Sequence, residues 1–138
     1  MRTALTISLA LSIFFASGRS ELATPQHWEI PQLDKYLHFL IFGLLATNLI
    51  RIPLSSHRLL NCTLAFALTS LYGFADEYRQ SFTLGRSVEI GDFIADTLGA
   101  LVATQVYSRW AAYQNLLERP LFSLNKRFLQ GRAKQGNA

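Results

Sequence analysis

The chain has 138 residues, of which 50% are apolar and 16% are charged, and its formal net charge is +4. An average soluble domain is about 25% charged, so this composition favours a small, single-domain membrane protein. A mean hydropathy of only +0.19 leaves a soluble helical bundle open as the alternative. The single cysteine, Cys62, excludes an internal disulfide.

The first predicted element is an uncharged apolar run over residues 3–18, directly after Arg2. A basic start, a short apolar segment and small residues at its end are typical of a signal peptide. A short or tilted helix also crosses a membrane with fewer than about 20 residues, which makes a retained first helix the competing interpretation. We expect retention, for a reason that comes from the family resemblance below.

Three more helices are predicted, over residues 34–52, 59–80 and 90–113. Asp34 is a candidate N-cap for the first of these, and Pro53 ends it. The other two carry small residues at four-residue spacing, which predicts that they pack against each other. These residues are Ala65, Thr69 and Gly73 in one helix and Ala95, Gly99 and Ala103 in the other. The predicted fold is therefore all-α, a four-helix integral membrane bundle over residues 1–118.

Basic residues predict the topology of this bundle. They dominate the turn at residues 51–58 and the tail at residues 119–138, where apolar and basic positions alternate as in a short amphipathic helix on an anionic membrane surface. By the positive-inside rule the turn, the tail and both termini are cytoplasmic. Because the charge excess is explained in this way, nucleic acid is not an expected partner.

This topology brings three helix ends to the outer side of the membrane, and each of them carries ionisable residues. Charge next to an apolar segment is costly unless it is partnered, so the sequence predicts a polar site at this face. The residues are Asp34, Lys35 and His38 at the first end, Asp76, Glu77 and Gln80 at the second, and Glu89, Asp92 and Asp96 at the third, with Arg86 in the loop between the last two.

Four spaced motifs resemble the pattern of VanZ-like membrane proteins. They are D-K-x-x-H-F at 34–39, E-x-x-Q at 77–80, G-R at 85–86 and D-x-x-A-D-T-x-G-A at 92–100, within a resemblance that covers residues 31–102. The family is named for a bacterial protein associated with low-level resistance to the glycopeptide teicoplanin, and no biochemical activity is firmly established for it. The resemblance marks a polar signature at Asp34, Lys35, His38, Glu77, Gln80, Arg86 and Asp92. It also implies a helix before the D-K motif, which is why we expect residues 3–18 to be retained.

At one position the chain departs from the family pattern, because asparagine is common in the family where this chain has Asp96. Two states of Asp96 remain open. Either its carboxyl group is protonated and donates as asparagine would, or a charged carboxylate is balanced by Lys35, His38 or Arg86.

The resemblance implies an integral protein of the bacterial plasma membrane and cell envelope, and the site residues are compatible with more than one role. In an enzyme acting on an envelope lipid or a phosphorylated carrier, Glu77, Asp92 and His38 would be the catalytic acids and bases. Lys35 and Arg86 would hold the anionic headgroup. In a binding protein, the same site would hold an envelope lipid, a cell-wall precursor or a glycopeptide. The binding residues would be Asp34, Lys35, Gln80, Arg86 and Asp96.

Two other roles stay open, namely proton-coupled transport through Asp96 and His38, and a purely structural ion-pair network that pins the helix ends. We expect membrane lipids and a lipid-linked or cell-wall-related ligand as partners, and oligomerisation stays open. No cofactor is expected. A metal held by His38 with Asp34, Glu77 and Asp92 suits zinc or manganese chemically, but with one plausible histidine we predict no metal site.

Overall fold

The computed structural model describes residues 2–18, 32–83 and 89–118, and it is helical through most of these ranges. No strand occurs in the described ranges, so the all-α prediction is confirmed. The helices are α1 (Arg2–Ser17), α2 (Leu33–Ile50), α3 (Arg58–Gln80), α4 (Ile90–Arg109) and α5 (Ala111–Glu118). The predicted tail at residues 119–138 lies outside the described residues.

The described part of the chain has five helices where four were predicted, because the fourth helix stops before residue 113. Trp110 leaves the helical conformation with φ −104° and ψ 95°, although its N–H still donates to the Val106 carbonyl at 2.9 Å. The chain then turns into α5, whose last residue, Glu118, lies 2.6 Å from the Arg2 guanidinium. Neither glycine nor proline occurs at the break, so the sequence carries no ordinary signal for it.

The start of α2 also differs from the prediction. The residue at its N-cap is Gln32, which has a left-handed conformation with φ 59° and makes no side-chain capping bond. Asp34 lies inside the first turn, and its carboxylate accepts from the Lys35 ammonium instead of capping the helix. The helix still ends before Pro53, at Ile50.

α3 and α4 pack against each other, as predicted, but α2 makes the more extensive contact with α4. A Cβ atom on Gly99 would stand 2.1 Å from the Phe39 carbonyl oxygen, and one on Gly43 would stand 3.2 Å from the Gly99 carbonyl oxygen. Glycine at both positions lets the two backbones touch. Gly73 of α3 faces α4, as predicted, since a Cβ there would lie 2.9 Å from Oδ2 of Asp96.

Along α3, polar residues face the inside of the bundle and large apolar residues face outward, the reverse of a surface helix in a soluble protein. On α3, Thr69, Asp76 and Gln80 are buried, whereas Leu71 and Phe74 are exposed. By length and apolar composition, two helices among the described residues are able to cross a membrane, Leu33–Ile50 and Arg58–Gln80. α1 is shorter, with 16 residues.

The two ends of the bundle differ in charge. At one end, Arg2 donates to the Arg51 carbonyl at 3.1 Å, and Arg58 donates to the Ser108 carbonyl. Glu118 is the acidic partner there, 2.6 Å from Arg2 and 3.6 Å from Arg51. The opposite end contains the start of α2, the end of α3 and the start of α4, and it is rich in carboxylates.

Candidate functional site

The outer part of the carboxylate-rich end is organised around the Lys35 ammonium. Its Nζ lies 3.1 Å from Asp34, 2.8 Å from Glu89 and 3.2 Å from Asp92. Gly91 leaves room for this side chain, because a Cβ at that position would stand 2.7 Å from Lys35 Cε. One cation therefore joins the first turns of α2 and α4, and it is fully engaged with carboxylates.

The inner part of the site contains His38 and Asp96. His38 Nδ1 lies 2.9 Å from Asp96 Oδ1, within hydrogen-bond distance when this nitrogen carries the proton. The other ring nitrogen faces Asp92 Oδ2 at 3.9 Å. Of the balancing residues for Asp96 that lie in the described ranges, His38 contacts it and Lys35 binds the outer carboxylates.

Glu77 reaches the same region from the end of α3. One of its carboxylate oxygens, Oε2, accepts from the Glu89 backbone N–H at 3.3 Å. Its other oxygen, Oε1, is buried and has no hydrogen-bond partner within the described ranges, and the same holds for Oδ2 of Asp96. Two buried acceptors on facing helices thus have free lone pairs, which is costly unless a cation or donor occupies the space.

Gln80 belongs to a second network that also contains Asp76 of the predicted polar site, together with Ser17 and Arg79, which the sequence did not indicate. Its Nε2 donates to Asp76 Oδ2 at 3.1 Å. The other oxygen of Asp76 accepts from Ser17 at 2.8 Å and from Arg79 at 2.9 Å. The Arg79 guanidinium also lies 4.4 Å from the centre of the Phe14 ring. The spacing of Asp76 and Arg79 on α3 indicates their pairing, but no sequence signal links either residue to α1.

The structure brings seven of the eight predicted site residues to this end of the bundle. They are Asp34, Lys35, His38, Glu77, Gln80, Asp92 and Asp96. Arg86, the eighth, lies outside the described residues. A groove among the described residues lies elsewhere, at the opposite ends of α3 and α4, where Cys62, Phe66 and Thr104 line it.

Two groups of three side chains in the described ranges have ligand atoms close enough to share a cation, within 4.8 Å of one another. One group is Asp34, Glu89 and Asp92, and the Lys35 ammonium already lies against all three. The other group is His38, Glu77 and Asp96. It differs from the set considered from the sequence, because Asp96 takes the place of Asp34 and Asp92.

Fold and site together define a class: small all-α proteins with apolar outer faces, in which a charged network joins helices at one end of the bundle. Within that class, the chain belongs to the VanZ/LLP1 family, whose family model matches residues 2–112. The VanZ-like resemblance is thus confirmed, and family membership indicates a membrane-associated protein of the cell envelope. No curated protein and no solved structure matches the chain.

Proposed function

We propose that this chain is an integral protein of the bacterial plasma membrane in which α1 to α4 cross the bilayer. The carboxylate-rich end forms the outer face and binds an envelope ligand. The observation that carries the membrane assignment is the reversed packing: Asp96 has no exposed surface, while 63% of Leu71 is exposed. Exposed apolar faces on several helices need lipid or a partner to cover them, and family membership favours lipid.

The orientation is supported by the separation of charge between the two ends. In the part of the chain that the structure describes, Arg2, Arg51 and Arg58 share one end of the bundle, where Glu118 is the acidic partner of Arg2 and Arg51. Positive residues favour the cytoplasmic side, so this end and both termini are cytoplasmic and the acidic site faces outward.

Cysteine labelling of intact cells tests this topology. Cys62 is replaced by serine, and single cysteines are placed in turn at Ser20, Ser55, Ser87 and Gln130. We expect a membrane-impermeant thiol reagent to label positions 20 and 87 and to leave 55 and 130 unlabelled until the cells are opened. The reverse pattern would place the acidic site in the cytoplasm. Recovery of the protein in the soluble fraction would refute membrane insertion.

The charge of the described site favours a ligand that presents an ammonium group or several hydroxyl donors. Six carboxylates meet two lysine or arginine side chains there, and both cations are already held at 2.8–2.9 Å by acidic partners. The carboxylates are Asp34, Asp76, Glu77, Glu89, Asp92 and Asp96. An envelope lipid with an amine headgroup, a cell-wall precursor and a glycopeptide all remain within this class.

Binding to lipids that differ in the headgroup amine tests the ligand class. The purified protein is titrated with fluorescent phosphatidylethanolamine, which has the ammonium, and with fluorescent phosphatidylglycerol, which lacks it. We expect tighter binding of the first lipid, and we expect Glu77→Gln to weaken it. Glu118→Gln, the same change at the opposite end of the bundle, serves as the matched control. Equal binding of the two lipids would contradict recognition through the acidic site.

Catalysis is the second candidate function, favoured by the position of His38 between Asp92 and Asp96 and by the free oxygen of Glu77. An imidazole between two carboxylates is suited to proton transfer, and a buried carboxylate with a free oxygen is suited to acid–base work. Loss of lipid turnover in Glu77→Gln with binding retained would favour an enzyme. Loss of both, together with a lower stability, would favour the structural alternative in which the network only pins the helix ends.

A further inference from the structure

The inner group of His38, Glu77 and Asp96 has unsatisfied bonding capacity that its neighbours do not supply. Asp96 is 0% exposed and Glu77 is 3% exposed, yet each has one carboxylate oxygen without a hydrogen-bond partner among the described residues. Buried acceptors of this kind are rare, because a carboxylate oxygen that loses water without gaining a donor is destabilised. Two of them on facing helices indicate that something else is bound between α3 and α4.

The free oxygens belong to the same side of the site. A Cβ on Gly73 would meet Oδ2 of Asp96 at 2.9 Å, so this oxygen faces α3 at the glycine. Glu77 lies four residues further along α3, on the same helix face. Its Oε2 is held by the Glu89 backbone N–H at 3.3 Å, and Oε1 is left for another partner.

We propose that His38, Glu77 and Asp96 bind a divalent first-row transition-metal ion. Their ligand atoms lie within 4.8 Å of one another, which is compact enough for one ion to contact all three. Two carboxylates and a neutral imidazole balance a 2+ charge, and this donor set suits Zn²⁺ or Mn²⁺. Ca²⁺ and Mg²⁺ take oxygen ligands, so the histidine disfavours them.

The neighbouring acidic group explains why the metal selects the inner position. Asp34, Glu89 and Asp92 surround the Lys35 ammonium at 2.8–3.2 Å, so their charge is already compensated. The inner group has no lysine or arginine contact within the described ranges. Three protein ligands also leave a coordination position for water or for an incoming group, as in catalytic rather than structural zinc sites.

Metal content measured on the full chain tests the proposal. The protein is purified in detergent, freed of any histidine tag, stripped with EDTA, incubated with Zn²⁺ and desalted before elemental analysis. We expect about one Zn²⁺ per chain in the wild type. The Asp96→Asn variant should bind at least about tenfold more weakly, since even residues that only support a metal ligand change affinity by about 10–100-fold. Asparagine has nearly the same size and shape as aspartate, so this variant is a mild change to the fold.

Asp34→Asn is the matched control, because it removes the same charge from the group that holds Lys35. It should retain the Zn²⁺ content of the wild type. A wild type that retains less than about a tenth of an equivalent would overturn the proposal. So would Asp96→Asn binding as tightly as the wild type, or Asp34→Asn losing the metal as fully as Asp96→Asn.

Co²⁺ supplies a readout that does not depend on any variant folding. Co²⁺ bound by one nitrogen and two carboxylate oxygens in a low-symmetry site absorbs visible light more strongly than the hydrated ion, and Zn²⁺ should remove this absorption by competition. A wild-type spectrum that matches free Co²⁺ would refute the site. Neither experiment uses an envelope ligand, so the metal site and the proposed ligand binding succeed or fail separately.

Discussion

Gly99→Ala should separate α2 from α4, because the new methyl group has no space. Its Cβ would lie 2.1 Å from the Phe39 carbonyl oxygen, 2.9 Å from the carbonyl carbon and 3.1 Å from the Cα. Real Cβ atoms essentially never come within 3.0 Å, so the backbones must move apart by about 0.9 Å at this contact. All three obstructing atoms are backbone atoms of α2, which no side-chain rotation can displace.

The size of the effect follows from two opposing contributions. Overpacking costs about 1–3 kcal/mol, and a clash with backbone belongs at the upper end of that range. Alanine recovers about 1 kcal/mol through its better helix propensity. We therefore expect a net loss of about 2 kcal/mol in the free energy of unfolding. The same displacement should weaken the bond between His38 and Asp96, one turn away along the α2–α4 contact.

Unfolding by SDS in mixed micelles, followed by helical circular dichroism, measures the change. Gly91→Ala is the matched control on the same helix, because its Cβ would meet Lys35 Cε at 2.7 Å, near the end of a flexible side chain that is able to turn aside. We expect this control to stay within about 1 kcal/mol of the wild type. If Gly99→Ala proves as stable as Gly91→Ala, the close α2–α4 contact is not as described.

Two further predictions concern the charged networks, and the same titration measures both. Lys35→Met should lower the free energy of unfolding by about 1–2 kcal/mol, because it leaves three carboxylates facing one another. The partial exposure of these side chains keeps the loss this small. Lys35→Arg should recover most of it. Wild-type stability in Lys35→Met would show that the carboxylates do not depend on this ammonium. Arg79→Gln should lower the free energy of unfolding by about 3 kcal/mol, because the Asp76 side chain is only 2% exposed and loses its cationic partner. Adding Asp76→Asn to Arg79→Gln should restore part of the stability, and a double variant weaker than the single one would contradict this account.

The helices of this protein and their polar ends can be predicted from the sequence, because both depend on residues that are close together along the chain. Apolar runs bounded by Pro53 and by charged residues predict helices wherever they occur. The spacing of Asp92 and Asp96, and of Asp34 and His38, puts each pair on one helix face in any fold. Two predicted helices lie between Arg2 and the basic turn at residues 51–58, and two more lie between this turn and the basic tail. The acidic helix ends are therefore expected on one side of the membrane.

Only the tertiary structure decides which of these residues meet. Lys35 and Glu89 are 54 positions apart, and Ser17 and Asp76 are 59 apart, so their contacts depend on how the helices are rotated and how closely they approach. Glycines such as Gly99 allow this close approach, but the sequence does not show that α2 is the helix that lies against Gly99. For the same reason, the sequence leaves the partner of Asp96 open. In the packed structure, His38 contacts one carboxylate oxygen of Asp96. The second oxygen of Asp96 faces the gap beside Gly73.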